Sequence, residues 1–165
     1  MKKMLLFVVG LVTVGASGAP SIKEAGAHNR CHRLNGKAGI QASVVSQGCT
    51  SPVGLCTAGV FEGDHLLRGT TSLVADGLAP AAGMPAVEAA TTLSYSGLLT
   101  ITTRDGTLTT RDTGIFDTAA GLFSSRDIIV AGTGIFEGAT GHIFYTGTGT
   151  TTFDADASGE ICLAR

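Results

Sequence analysis

Apolar and polar residues alternate with a period of two along much of this chain, most plainly in Leu93-Ser94-Tyr95-Ser96 and Leu99-Thr100-Ile101-Thr102. That period sends successive side chains to opposite faces of a half-buried β-strand. Turn residues interrupt it at close intervals: Asn35-Gly36, Gly48, Pro52 to Gly54, Gly63-Asp64, Asp76-Gly77, Asp105-Gly106, Gly121, Gly138 to Gly141 and Ser158-Gly159. Between these breaks Thr, Val, Ile, Leu and Phe favour or tolerate extended backbone. The pattern predicts strands over 38–46, 55–61, 65–75, 91–103, 107–116, 122–131, 141–153 and 160–164. Eight antiparallel strands joined in sequence form a closed barrel or a sandwich. Residues 78–90, with Pro80, Pro85 and many alanines, read as a long connection crossing one end of the sheet.

The clearest local structure is the hairpin over 91–116, whose Asp105-Gly106 pair suits a two-residue type I′ turn. Centred there, Arg104 faces Thr107, Thr103 faces Leu108, Ile101 faces Thr110 and Leu99 faces Asp112. The face carrying Leu93, Tyr95, Leu99 and Ile101 is the more apolar, so Leu108, Thr110 and Asp112 should share it and look into a core or lumen. A carboxylate at Asp112 on such a face is costly unless something pairs with it.

The first residues change the picture of where the protein works. Lys2 and Lys3 precede an apolar run from Met4 to Val14, and small residues from Gly15 to Ala19 follow. This is the layout of a secretory signal peptide with a cut after Gly18; the apolar run is shorter than the ~20 residues a bilayer-spanning helix needs. Nothing after Pro20 is long and apolar enough to cross a membrane as a helix. The expected organisation is a signal peptide at 1–18, a loosely held leader at 19–33, and one β-barrel domain at 34–165. Export implies an oxidising compartment, where the four cysteines would pair as two disulfides. Pro52 and Gly54 let the chain double back between Cys49 and Cys56, and Cys31–Cys162 would tie the two ends together. The net charge of −2, more acidic once Lys2 and Lys3 are removed, makes nucleic acid and anionic membranes poor partners.

A Gly-Ile/Val-Phe-acidic motif recurs as GVFEG at 59–63, GIFD at 114–117 and GIFEG within GTGIFEGATG at 132–141. The repeat predicts one kind of corner used several times, with Glu62, Asp117 and Glu137 accepting turn N–H groups. The segment at 124–149 resembles the allene oxide cyclase-like barrel proteins and, more distantly, the dirigent proteins, through Gly132, Thr133, Gly134, Phe136, Gly138, Ala139 and Gly141. The resemblance implies an eight-stranded antiparallel barrel with a mostly apolar cavity, used in that family to fold reactive small molecules into rings or to steer their coupling. Its glycines would allow close backbone approach while the phenylalanine plugs the barrel end. The matched motif is structural and transfers no catalytic residue.

Chemistry therefore has to be sought in the lumen. Tyr95 and Asp112, with Arg126 or Arg111 as counter-charge, form the candidate catalytic set: an acid to deliver a proton and a cation to hold a developing anion. Leu99, Ile101, Tyr145 and His142 are candidate ligand-binding residues, His142 only if the face it shares with Phe144 is the inner one. HNRCH at 28–32 has ligand-type side chains, but Cys31 is expected in a disulfide, so no metal site is assigned there. DADASGE at 154–160 begins like a calcium loop, yet Arg165 stands where the bidentate glutamate should be, which favours a hairpin turn. No cofactor is implied. The expected function is binding of a small apolar molecule in the lumen, the alternatives being a cyclase or isomerase and a structural protein with a filled barrel. A Thr-rich exterior is compatible with a monomer or a homo-oligomer.

Overall fold

A computed structural model describes residues 30–63, 66–83, 85 and 91–164. The expected signal peptide at 1–18 and most of the leader lie outside the described residues. Eight strands form a single closed antiparallel barrel in which each pairs with its sequence neighbours and the last returns to the first. They are β1 (Arg30–Val44), β2 (Cys56–Glu62), β3 (Gly69–Pro80), β4 (Thr92–Thr103), β5 (Gly106–Asp117), β6 (Leu122–Gly132), β7 (Thr140–Gly149) and β8 (Thr152–Leu163). A 3-10 turn over Gly134–Phe136 is the one helical element among the described residues.

Several boundaries differ from those the sequence predicts, each for a local reason. β1 starts at Arg30, inside the expected leader, because residues 30–35 pair along the end of β8. β3 runs on to Pro80, into the expected connection, because residues 77–80 keep pairing with β4. The predicted strand 141–153 turns at 150–151, where a run of threonines compatible with strand conceals the break. β8 then passes straight through Ser158-Gly159, so DADASGE is neither a calcium loop nor a hairpin turn. Gly159, at φ 136°, suits this crowded path, since a Cβ there would lie 2.3 Å from the His142 carbonyl oxygen.

The β4–β5 hairpin pairs Thr103 with Gly106, Ile101 with Leu108, Leu99 with Thr110 and Gly97 with Asp112. The turn therefore uses Arg104 and Asp105, and the register is offset by two from the one centred on Asp105-Gly106. An offset of two preserves which face each residue occupies. Leu99, Ile101, Leu108, Thr110 and Asp112 are accordingly all buried inside.

One end of the barrel is solid. Phe61, Leu67, Ile101, Leu108, Ile143 and Ile161 are fully buried there, and Phe136 from the 3-10 turn closes the bottom as the sequence motif suggests. The corner at 133–139 docks on the β4–β5 turn through Ile135 N–H to the Asp105 carbonyl at 3.1 Å and Thr133 N–H to the Thr107 carbonyl at 2.9 Å. Gly134 has φ 61°, and a Cβ on it would meet the Asp105 carbonyl oxygen at 2.1 Å, so this position of the motif needs glycine. The repeats are not three copies of this corner. Phe61 and Phe116 lie within strands β2 and β5, at opposite ends of the barrel. Of the acids that follow, Asp117 accepts from the N–H groups of Ala119 and Ala120, Glu62 lies 3.7 Å from exposed Arg68, and Glu137 is exposed.

Cys31–Cys162 and Cys49–Cys56 are both disulfide-bonded, as the spacing suggested. The first joins directly opposed residues of β1 and β8 at the solid end. The second ties the β1–β2 loop at the other end to the start of β2.

Candidate functional site

The other half of the barrel is hollow. A cavity of about 130 Å³ opens toward the end carrying the loops 45–55, 81–91, 118–121 and 150–151. Its apolar wall includes Ile40, Leu73, Leu99, Phe116, Phe123 and Phe153. The Phe153 ring packs edge-on against Phe116 and Phe123, at centroid distances of 5.9 and 5.6 Å. Polar groups enter this wall at a few points: Thr57, Thr71, Tyr95, Asp112, Ser125 and Tyr145.

Strand alternation explains who reaches the lumen. On β5 Asp112 points in, so its neighbour Arg111 points out, where its guanidinium bonds both oxygens of Asp76 and holds that carboxyl below the usual carboxylate range. On β6 Ser125 and Asp127 point in and Arg126 between them is exposed. Neither arginine serves as the interior counter-charge expected from sequence. His142 shares its face with half-exposed Phe144, whose ring lies 5.2 Å away, and that face is the exterior. Tyr95, Leu99 and Tyr145 line the cavity, whereas Ile101 belongs to the solid half. A bulge at Asp76 changes the phase of β3 and brings Leu78 opposite Tyr95, onto the cavity wall.

Asp112 sits directly opposite Asp127 across the β5–β6 ladder. The two carboxyls are 5% and 0% exposed, on a face with no basic side chain among the described cavity residues. Two charges so placed in a dry site repel, so the pair retains a proton well above the ordinary carboxylate range. Burial pushes Asp112 up to about 6, against the opposing effect of hydrogen bonds from Asp127 and Ser125. Burial and then the charge of Asp112 push Asp127 up to about 8. Asp127 accepts hydrogen bonds from the hydroxyls of Thr110 and, at 3.5 Å, Ser125. It forms a floor behind the cavity, and Asp112 is the member that faces the space.

Tyrosines frame the pair. The Tyr95 ring lies across Gly114, where a Cβ would meet its Cζ and hydroxyl at 2.6 Å. Tyr145 packs edge-on against Phe61 of the solid half at 6.5 Å and also lines the cavity. Burial, reinforced by the nearby carboxylates, raises both phenols well above their ordinary value, so each is a neutral hydroxyl. Three buried polar atoms here have no hydrogen-bond partner: Thr71 Oγ1, Asp112 Oδ1 and Tyr145 Oη. All three residues line the cavity.

Sequence reasoning placed Tyr95, Asp112 and Tyr145 inside but missed Asp127. The alternation of Ser125, Asp127 and Ile129 was its signal, and a turn centred in 118–121 would have set Asp127 against Asp112. Cys31 and Cys162 also lie near Glu160 in a metal-like cluster, but both sulfurs are committed to their disulfide. Comparison with known protein families, with curated proteins and with solved structures found no match.

Proposed function

We propose that this protein is an exported barrel that binds a small, mostly apolar molecule carrying a hydrogen-bonding group in the open half of its lumen. The observation that carries the reading is the coincidence of an apolar cavity with three unpartnered buried polar atoms, each belonging to a residue that lines it. Leaving such atoms unpaired costs about 1–3 kcal/mol each, and a guest that bonds them relieves the penalty. A cavity near 130 Å³ suits a guest about the size of one aromatic ring, or the inserted end of a longer one. Two disulfides fit an oxidising compartment, which is the support for export by way of the 1–18 segment. The likeness of 124–149 to allene oxide cyclase-like barrels favours the same use of a lumen.

Protein isolated from its native source and examined by mass spectrometry without denaturation tests the reading. The expected result is a retained small molecule that is lost from Thr57→Phe, which fills the cavity from β2. No retained mass, or equal retention by the variant, would count against it.

A second reading, cyclase or isomerase, is favoured by the proton held by the Asp112–Asp127 pair beside the cavity. It ranks behind binding because Arg111 and Arg126 lie outside, which leaves no cation among the described cavity residues to stabilise a developing anion. On this reading Asp112→Asn should abolish turnover while the fold persists.

A further inference from the structure

The cavity offers negative charge with no positive partner among the described residues that line it. Its ionisable groups are Asp112 from β5, with Asp127 of β6 behind it, and Tyr95 and Tyr145 from β4 and β7. The lining contributed by β1, β2, β3 and β8, such as Ile40, Thr57, Leu73 and Phe153, does not titrate. The nearest strand-borne cations, Arg111 and Arg126, face the exterior, Arg111 already paired with Asp76.

Resting on the lumen-binding reading, we propose that the guest is a small organic amine, bound as its ammonium cation. Its charge is set against Asp112, and its apolar body lies among Phe116, Phe123 and Phe153. Three features converge on this class. Asp112 lines the cavity, and its buried Oδ1 is an acceptor with no partner in the protein, which a donor carried in by the guest would satisfy. The hydroxyl oxygens of Thr71 and Tyr145, 4% and 3% exposed as residues, are also without partners and can accept the remaining N–H groups. The faces and edges of the lining rings provide an apolar shell in which a cation is attracted to aromatic π-density. A carboxylate guest would add a third negative group to the pair, and a neutral guest would leave the pair's charge unmatched in a dry site. Entry of the ammonium favours ionisation of the pair, and the proton displaced passes to solvent.

Calorimetric titration of the full chain with benzylamine, benzyl alcohol and benzoate tests this, since the three share one ring and differ in the charge of the head group. At about pH 7.5 the amine should bind at least about tenfold more tightly than the alcohol, with benzoate weakest. The amine's advantage should shrink by about pH 5.5, where the carboxyl pair holds more protons while the amine remains charged. Asp112→Asn should bring the amine down to the alcohol's affinity and leave the alcohol unchanged. Should that variant not fold, Asp127→Asn decides. It should keep the preference for amine, because Asp112 still supplies the charge, and should abolish any further rise in that preference as pH passes about 8, where the second carboxyl of the pair would ionise; loss of the preference overturns the proposal. Equal binding of amine and alcohol, or tightest binding of benzoate, also overturns the amine assignment while leaving lumen binding intact. If none of the three binds, both readings fall.

Discussion

The two halves of this barrel are made from the same eight strands and differ in what those strands turn inward. Toward one end the inner positions hold Phe61, Ile101, Leu108, Phe136, Ile143 and Ile161, which fill the section completely. Toward the other the wall includes Ala42, Thr57, Thr71 and Ala155 beside its larger residues, and a space remains. Closure of eight strands leaves an interior just wide enough for side chains to fill, so the size of the inward residues decides between core and cavity. Stability is thus concentrated at one end and capacity for a guest at the other, with the Asp112–Asp127 pair at their boundary.

That division can be broken at several points. The largest effect is expected from Cys31–Cys162, which closes a loop of 131 residues at the solid end; its removal by paired serine substitutions should cost about 5 kcal/mol in the chain-entropy model. Removing Cys49–Cys56, with a separation of 7 at the open end, should cost about 2 kcal/mol by the same relation. Denaturant midpoints of the two variants check the ratio.

Phe136→Ala should cost about 3–5 kcal/mol in denaturant unfolding because it unplugs the filled half. Half-exposed Leu78→Ala on the cavity wall should cost less than about 1 kcal/mol. Comparable losses would erase the distinction between the halves.

The boundary pair gives a pH signature. Both carboxyls titrate higher in the folded barrel than in the unfolded chain, so the folded state binds more protons. Their contribution is fully present below about pH 4 and is lost as pH rises through about 6 and then about 8. The expected fall between about pH 5 and 8 is on the order of 5 kcal/mol, and Asp127→Asn should flatten it and raise stability at the alkaline end. Unfolding free energies measured across that range, with a slope of the opposite sign or an unchanged slope in the variant, would refute the assignment.

The cavity wall can also be tested at a glycine. Gly114→Ala sets a Cβ 2.6 Å from the Tyr95 ring and 2.7 Å from the Ser124 carbonyl oxygen, so both the ring and the β6 backbone must shift. It should lower the melting temperature and weaken guest binding in titration together, because the same wall carries Tyr95 and Ser125.

Strand number, closure and the inner face of β4 and β5 were legible because a period-two pattern survives small errors of register. Phase errors of one are fatal to such reasoning, whereas the actual offset of two at Thr103–Gly106 moved no residue to another face. Both disulfides were readable because an even count of four cysteines has a turn between one pair and nearly the chain's length between the other. The site was only half readable. Asp112 could be placed from its own hairpin, but its partner is two turns of reasoning away, on β6, and Arg126 beside it attracted the assignment that belonged to Asp127. The division into filled and hollow halves was not visible at all, since it depends on the combined volumes of residues from all eight strands at one level. The turn at 150–151 was hidden because threonine suits a strand and a loop rim equally.

The bond between Cys31 and Cys162 also turns a linear polypeptide into a covalent ring that follows the circumference of the barrel. A single backbone cut in any hairpin between those residues would therefore open the ring without dividing the molecule, and the two fragments would stay tethered beside their own mates. A nick at the guest-facing rim, such as within 118–121, should leave the cylinder assembled until a reductant is added.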